Sequence, residues 1–129
     1  VALQAYAKAD LQLYQNKKEE ALQLFLAILQ KHKGESIEEG TLFKVGKIYE
    51  EKGDFNKALT YYQNILDNHK DGIYKDEALY FSAEIYRKHL LDNEKAKALY
   101  EKVVLEHPDS LYYTESRKQY RTLRGDSTI

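Results

Sequence analysis

The chain contains no cysteine, no methionine and no tryptophan, and it has a single proline. Without cysteine it forms no disulfide, carries no thiolate nucleophile and offers no sulfur to a metal. One proline (Pro108) and six glycines in 129 residues leave few points where a helix must break. An excess of either charge is also missing: 20 basic residues stand against 21 acidic ones, a formal net charge of −1. Binding to nucleic acid, which rewards a basic face, is therefore not expected. No apolar run approaches the ~20 residues of a membrane-spanning helix, so no transmembrane segment is expected. The chain opens Val1-Ala2-Leu3 with neither initiator methionine nor signal-peptide pattern. It is expected to be the C-terminal part of a longer protein.

What is present is the composition of a folded domain, 43% hydrophobic and 32% charged, and one domain over 1–129 is expected. Internal repetition is the main signal. Leu42, Gly46 and Tyr49 recur 37 residues on as Leu79, Ala83 and Tyr86. After one extra residue at a turn, Ala58, Tyr62, Ile65 and His69 recur as Ala96, Tyr100, Val103 and His107. Upstream, Ala21, Phe25, Ile28 and His32 repeat the second half once more. The register of residues 2–14 stays open, because only the second half of that copy matches.

Each copy reads as two helices. Leu42, Val45, Ile48 and Tyr49 follow three-and-four spacing, as do Ala58, Leu59, Tyr62, Ile65 and Leu66. Gly53-Asp54 interrupts them, glycine suiting a left-handed helix end and aspartate the next start. Asn16 before Glu19, Ser36 before Glu39, and Asp92-Asn93 predict the other helix starts. Runs of alternating β-branched residues are missing, so no strands are predicted. Gly46, Ala58, Ala83 and Ala96 mark the closest approach within each pair, with tyrosines filling the wider gaps.

These residues carry a resemblance to the tetratricopeptide repeat family: Leu42-x2-Val45-Gly46-x2-Tyr49, then Gly53-Asp54-Phe55, Ala58, Tyr62 and Ile65. Ser82-Ala83 and Pro108 fit the third copy. The resemblance implies an all-α fold, a right-handed α-α superhelix (solenoid) of about three helix pairs plus a C-terminal capping helix. The repeats would span approximately 2–33, 39–70 and 76–108, with the capping helix at 110–124. At 37 or 38 residues the repeat exceeds the usual ~34. The longer linkers, such as Pro108-Asp109-Ser110-Leu111-Tyr112, resemble those of bacterial cell-envelope members of the family. Periplasmic or outer-membrane association is the setting this implies.

The search for chemistry yields no active site, and the chain is not expected to be an enzyme or to need a cofactor. His32, His69 and His107 share one repeat position at the end of a second helix, too far apart to converge on a metal. His89 sits in a turn beside Leu90-Leu91. Adjacent acidic pairs such as Glu50-Glu51 read as solvated faces.

The resemblance instead implies a non-catalytic scaffold that binds a protein or peptide partner on the concave face lined by the first helices. That face would comprise Phe43, Lys47, Glu50 and Glu51, then Glu77, Tyr80, Glu84, Arg87 and Lys88. Tyrosine and arginine are common binding hot spots. Phe43 and Tyr80 have a second reading, packing within the repeats. An alternative for the whole chain is a structural spacer or self-association module. Residues 21–29 are apolar nearly all round, so Leu24 and Leu26 are expected to touch upstream repeats or a second copy. Arg117, Arg121 and Arg124 share a face of the last helix and read as solvated charge.

Overall fold

The structure is a computed structural model that describes residues 1–126. Helix follows helix: α1 (Ala2–Tyr14), α2 (Lys18–Lys31), α3 (Glu38–Glu51), α4 (Phe55–Asn68), α5 (Lys75–Ile85), α6 (Asn93–Glu106) and α7 (Tyr113–Arg124). A π-helical turn, Tyr86–Leu90, extends α5. No strand occurs among the described residues. The chain divides into two compact units, Val1–His69 and the part from Lys70 onward.

In the first unit α1 packs on α2, α2 on α3, and α3 on α4. Its core is Ala9, Ala21, Leu22, Phe25, Ile28, Val45 and Ile48. Ala9 stands 37 residues before Gly46, which settles the open register of α1: its small residue is fully buried like those of α3 and α5. A Cβ at Gly46 would lie 2.5 Å from Tyr62 Cε1, so alanine fits there only if the Tyr62 ring shifts. In the second unit Ala83, Ala96 and Tyr100 form a core against which Tyr120 and Leu123 of α7 pack. Thr41, Ala78 and Ser116 form a second buried small-residue series, each fully buried in the first turn of its helix. Neither glycine nor alanine marks all three positions, so repeat counting on small residues misses it.

The turns revise three expected caps. Asn16 does not cap α2; it takes a left-handed φ of 64°, as Gly53 does at 81°. Lys17 precedes α2 and Ile37 precedes α3, neither with a capping side chain, so Ser36 does not cap either. Asp54 precedes α4 without a side-chain cap. Only Asp92 caps as expected, accepting the Lys95 N–H at 3.1 Å. The third copy's extra residue is taken up by the π turn, so His89 lies in a helical turn. There the Asp92 N–H reaches back to the Tyr86 carbonyl, whereas the Asp54 N–H closes one residue sooner on Tyr49. Leu91 takes the left-handed place of Gly53, at φ 54°. The last helix begins at Tyr113, leaving Leu111 exposed in the turn before it. Arg121 and Arg124 of α7 both engage Asp126, which follows the left-handed Gly125.

Candidate functional site

The first helix of each pair places an aromatic ring on the aromatic residue of the second. Tyr6 meets Phe25 edge-on at 5.4 Å, Phe43 meets Tyr62 at 6.1 Å, and Tyr80 meets Tyr100 at 6.2 Å. The packing reading of Phe43 and Tyr80 is what these contacts show, and both residues stay half-buried rather than enclosed. Tyr6 belongs to this series, and counting 37 residues back from Phe43 would have found it. Tyr112 was also missed. It stacks on Tyr80 at 4.5 Å and touches Phe81 edge-on at 5.5 Å. It stands 38 residues after Tyr74, a repetition hidden by its place in a linker.

Around the rings, the polar residues turn inward more than expected. In the first unit the Tyr62 hydroxyl donates to Glu50 Oε1 at 2.8 Å, and Lys47 Nζ lies 3.6 Å from the same oxygen. Glu50 is therefore not part of a merely solvated pair. Glu51 is exposed, 3.8 Å from Lys18. In the second unit the Glu84 carboxylate, expected on an open face, is only 8% exposed. It accepts the Tyr100 hydroxyl proton, Arg87 Nη2 at 3.1 Å and Lys88 Nζ at 2.8 Å. Arg87 Nε also donates to the Tyr100 hydroxyl at 3.0 Å. A buried carboxylate needs such partners, because an unpaired one would cost several kcal/mol.

The ionisation pattern follows. Burial opposes the charge on Glu84, but the bonds from Lys88, Tyr100 and Arg87 outweigh it and hold the carboxyl below the usual range. Burial, then the Glu84 bond, pushes the Tyr100 phenol well up. Burial, with the charges of Glu84 and Glu115 beside it, pushes Tyr80 up to about 12. Burial also raises Tyr112, helped by Glu77 and Asp76.

Of the nine expected residues, the structure gathers Phe43, Lys47 and Glu50 around Tyr62. It gathers Tyr80, Glu84, Arg87 and Lys88 around Tyr100, and leaves Glu51 on the outer rim. The histidines stay separate: His32 pairs with Glu35 at 2.9 Å and His69 with Glu38 at 3.0 Å. Among the described residues no group of three or more His, Asp or Glu side chains is placed to hold a metal. No helix is long and apolar enough to cross a membrane.

Leu24 and Leu26, expected to share one surface, separate. Leu26 and Leu29 line a cavity with Leu42, Tyr61 and Asn64, while Leu24 lines a notch with Ala5, Lys8 and Ala27. Two positions apart on a helix, they lie on nearly opposite sides.

Paired helices, small residues at the crossings and aromatic rings shared across each pair define a helical-repeat protein. The family described as Tetratricopeptide repeat matches residues 41–72 and 77–110, together just over half of the chain. The chain belongs to the tetratricopeptide repeat family. No curated protein matches the chain. Among solved structures, a tetratricopeptide repeat protein from Parabacteroides merdae is similar, with a TM-score of 0.51 and 17% identity. The match covers 96% of this chain and 60% of that one, so the chain spans less than two thirds of its length. At that identity the likeness shows the fold: all-α, built of tetratricopeptide helix pairs. Repeats of this family generally mediate protein–protein interaction and are generally non-enzymatic.

Proposed function

We propose that the chain is a non-catalytic scaffold whose first-helix faces receive a segment of a protein partner. Each unit contributes its own patch: Phe43, Lys47, Glu50 and Glu51 on α3, and Glu77, Tyr80, Arg87 and Lys88 on α5 and its π turn, with the buried Glu84 holding Arg87 and Lys88 from beneath. The observation that carries this reading is the half-exposed aromatic ring at the same place in both units, its polar neighbours held by a core tyrosine. Rings and guanidinium groups already fixed in place lose little freedom when a partner docks.

Alanine at Phe43 or Tyr80 would disturb the rings of Tyr62 and Tyr100, so loss of binding there would be confounded with loss of fold. Glu51 and Lys88 are exposed, and glutamine at 88 removes the charge while keeping an amide donor toward Glu84, so they give the cleaner test. The whole chain and its Glu51→Lys/Lys88→Gln variant would be used as baits in parallel, after checking equal thermal stability. A partner captured by the native chain and depleted from the variant supports the patches. Equal capture by both would sink them.

The envelope-type linkers support a bacterial periplasmic or outer-membrane setting as part of the same proposal. Immunoblotting of cytoplasmic, periplasmic and membrane fractions tests it; signal confined to the cytoplasm would overturn it.

A further inference from the structure

The first unit holds a cavity of about 490 Å³ between α2 and α4, at the start of α3. It shares no residue with the patches above. Leu26 and Leu29 of α2, Leu42 of α3 and Tyr61 of α4 wall it, with the exposed Gln30, Lys33 and Asn64 at its rim. We propose that it binds an extended segment of a partner protein, one with an aliphatic residue and, two positions along, a carboxylate.

Packing of the repeats does not by itself call for such a wall. Leu26 is half-buried on the cavity, whereas Gln63 and Glu101 fill the same position in the later copies. One repeat on, Asp67 stands for Gln30 and Lys102 for Asn64. The apolar wall with amides at its edge is thus particular to this place in the chain. The Tyr61 ring is held by stacking on Tyr49 at 5.7 Å, so the wall is formed before anything binds.

Charge and hydrogen-bonding capacity then choose the occupant. Glu38, the acid among the lining residues, is already engaged: His69 Nε2 lies 3.0 Å from Oε1, and the Gly34 N–H donates to Oε2 at 3.3 Å. Among the described residues Lys33 enters no ion pair. The unmatched charge at the cavity is therefore positive and favours a carboxylate. Asn64 accepts from Asn68, but its amide nitrogen and the whole Gln30 amide make no hydrogen bond among the described residues. Gln30 can serve both a peptide N–H and a carbonyl, and Asn64 a carbonyl; an alkyl chain would use neither. In an extended segment, residues two apart point to the same side. An aliphatic residue on Leu26 and Leu29 thus sends its second neighbour toward Lys33, just past the end of α2.

The probe is a capped heptapeptide of glycine and serine carrying one isoleucine and, two residues later, one glutamate. Titrated into the 15N-labelled whole chain, it is expected to shift the amides of Leu26, Leu29, Lys33 and Tyr61. A peptide with lysine in place of the glutamate should not. A Lys33→Glu variant with an unchanged melting temperature should bind about fivefold more weakly, the worth of roughly 1 kcal/mol of exposed ion pair. Leu26→Gln, which borrows the residue of the next copy, should weaken binding as well. Absence of shifts, shifts elsewhere, equal binding of the lysine peptide, or undiminished binding by either variant would overturn the proposal. So would a dimer of the chain in sedimentation that Lys33→Glu dissolves, since the cavity would then belong to a second copy. The Glu51→Lys/Lys88→Gln chain should bind the peptide normally, so this cavity and the patches fail separately.

Discussion

The Tyr100 hydroxyl donates to the Glu84 carboxylate, which stands one turn N-terminal to Arg87 on the same helix. One repeat earlier the arrangement is reversed. Tyr62 donates to Glu50, the residue at the place of Arg87, while Lys47 holds the place of Glu84. In the first pair Leu13 and Asp10 occupy these places and Phe25 has no hydroxyl to satisfy. Each core aromatic thus matches the polarity of its two neighbours, and the charges swap positions without breaking the bond.

Glu84 makes the second unit acid-sensitive. Its folded pKa is depressed, so its stabilisation is fully present above the ordinary carboxylate value of ~4.3 and is lost as pH falls through the folded value. In urea unfolding, native chain and Glu84→Gln should differ most near pH 7 and converge toward pH 3. A difference independent of pH would contradict the network. Tyr100→Phe, which removes the hydroxyl but keeps the ring as Phe25 does, should cost about 1.5–3 kcal/mol.

Gly46→Ala should destabilise by about 1–3 kcal/mol despite alanine's better helix propensity. Its Cβ would meet the fully buried Tyr62 ring at 2.5 Å. Denaturant unfolding measures it, and a stabilised variant would show that the Tyr62 ring can yield.

Leu91→Gly should stabilise by about 1 kcal/mol. Leu91 holds a left-handed φ of 54° and is 76% exposed, so glycine relieves backbone strain while giving up little burial. A rise in melting temperature checks it.

Ser116→Ala should be neutral or stabilising by up to about 1 kcal/mol. The Ser116 hydroxyl is buried without a partner, and Ala78 fills the same position one repeat earlier. A loss of 2 kcal/mol in urea unfolding would reveal a bond that the hydroxyl makes.

The all-α class and the repeat were legible because helix crossings demand small residues at fixed intervals and rings beside them. Gly46, Ala58, Tyr62 and their counterparts therefore announce the fold in one dimension. The identity of the aromatic pair at Phe43 and Tyr80 was legible for the same reason. What the side chains around them do was not. Glu50 and Arg87 share a repeat position yet carry opposite charge, and Glu84 looks like any helical glutamate until the Tyr100 hydroxyl is brought against it. Likewise the one extra residue before Asp92 is plain in the sequence, but whether it bulges a loop or widens a helix depends on where α5 and α6 must meet. The chain by itself determined which positions are small, apolar or aromatic, because burial acts on each residue's own chemistry. Tertiary structure alone decided which carboxylate each tyrosine finds and which faces of α2 are covered, because those follow from neighbours that sequence spacing does not name.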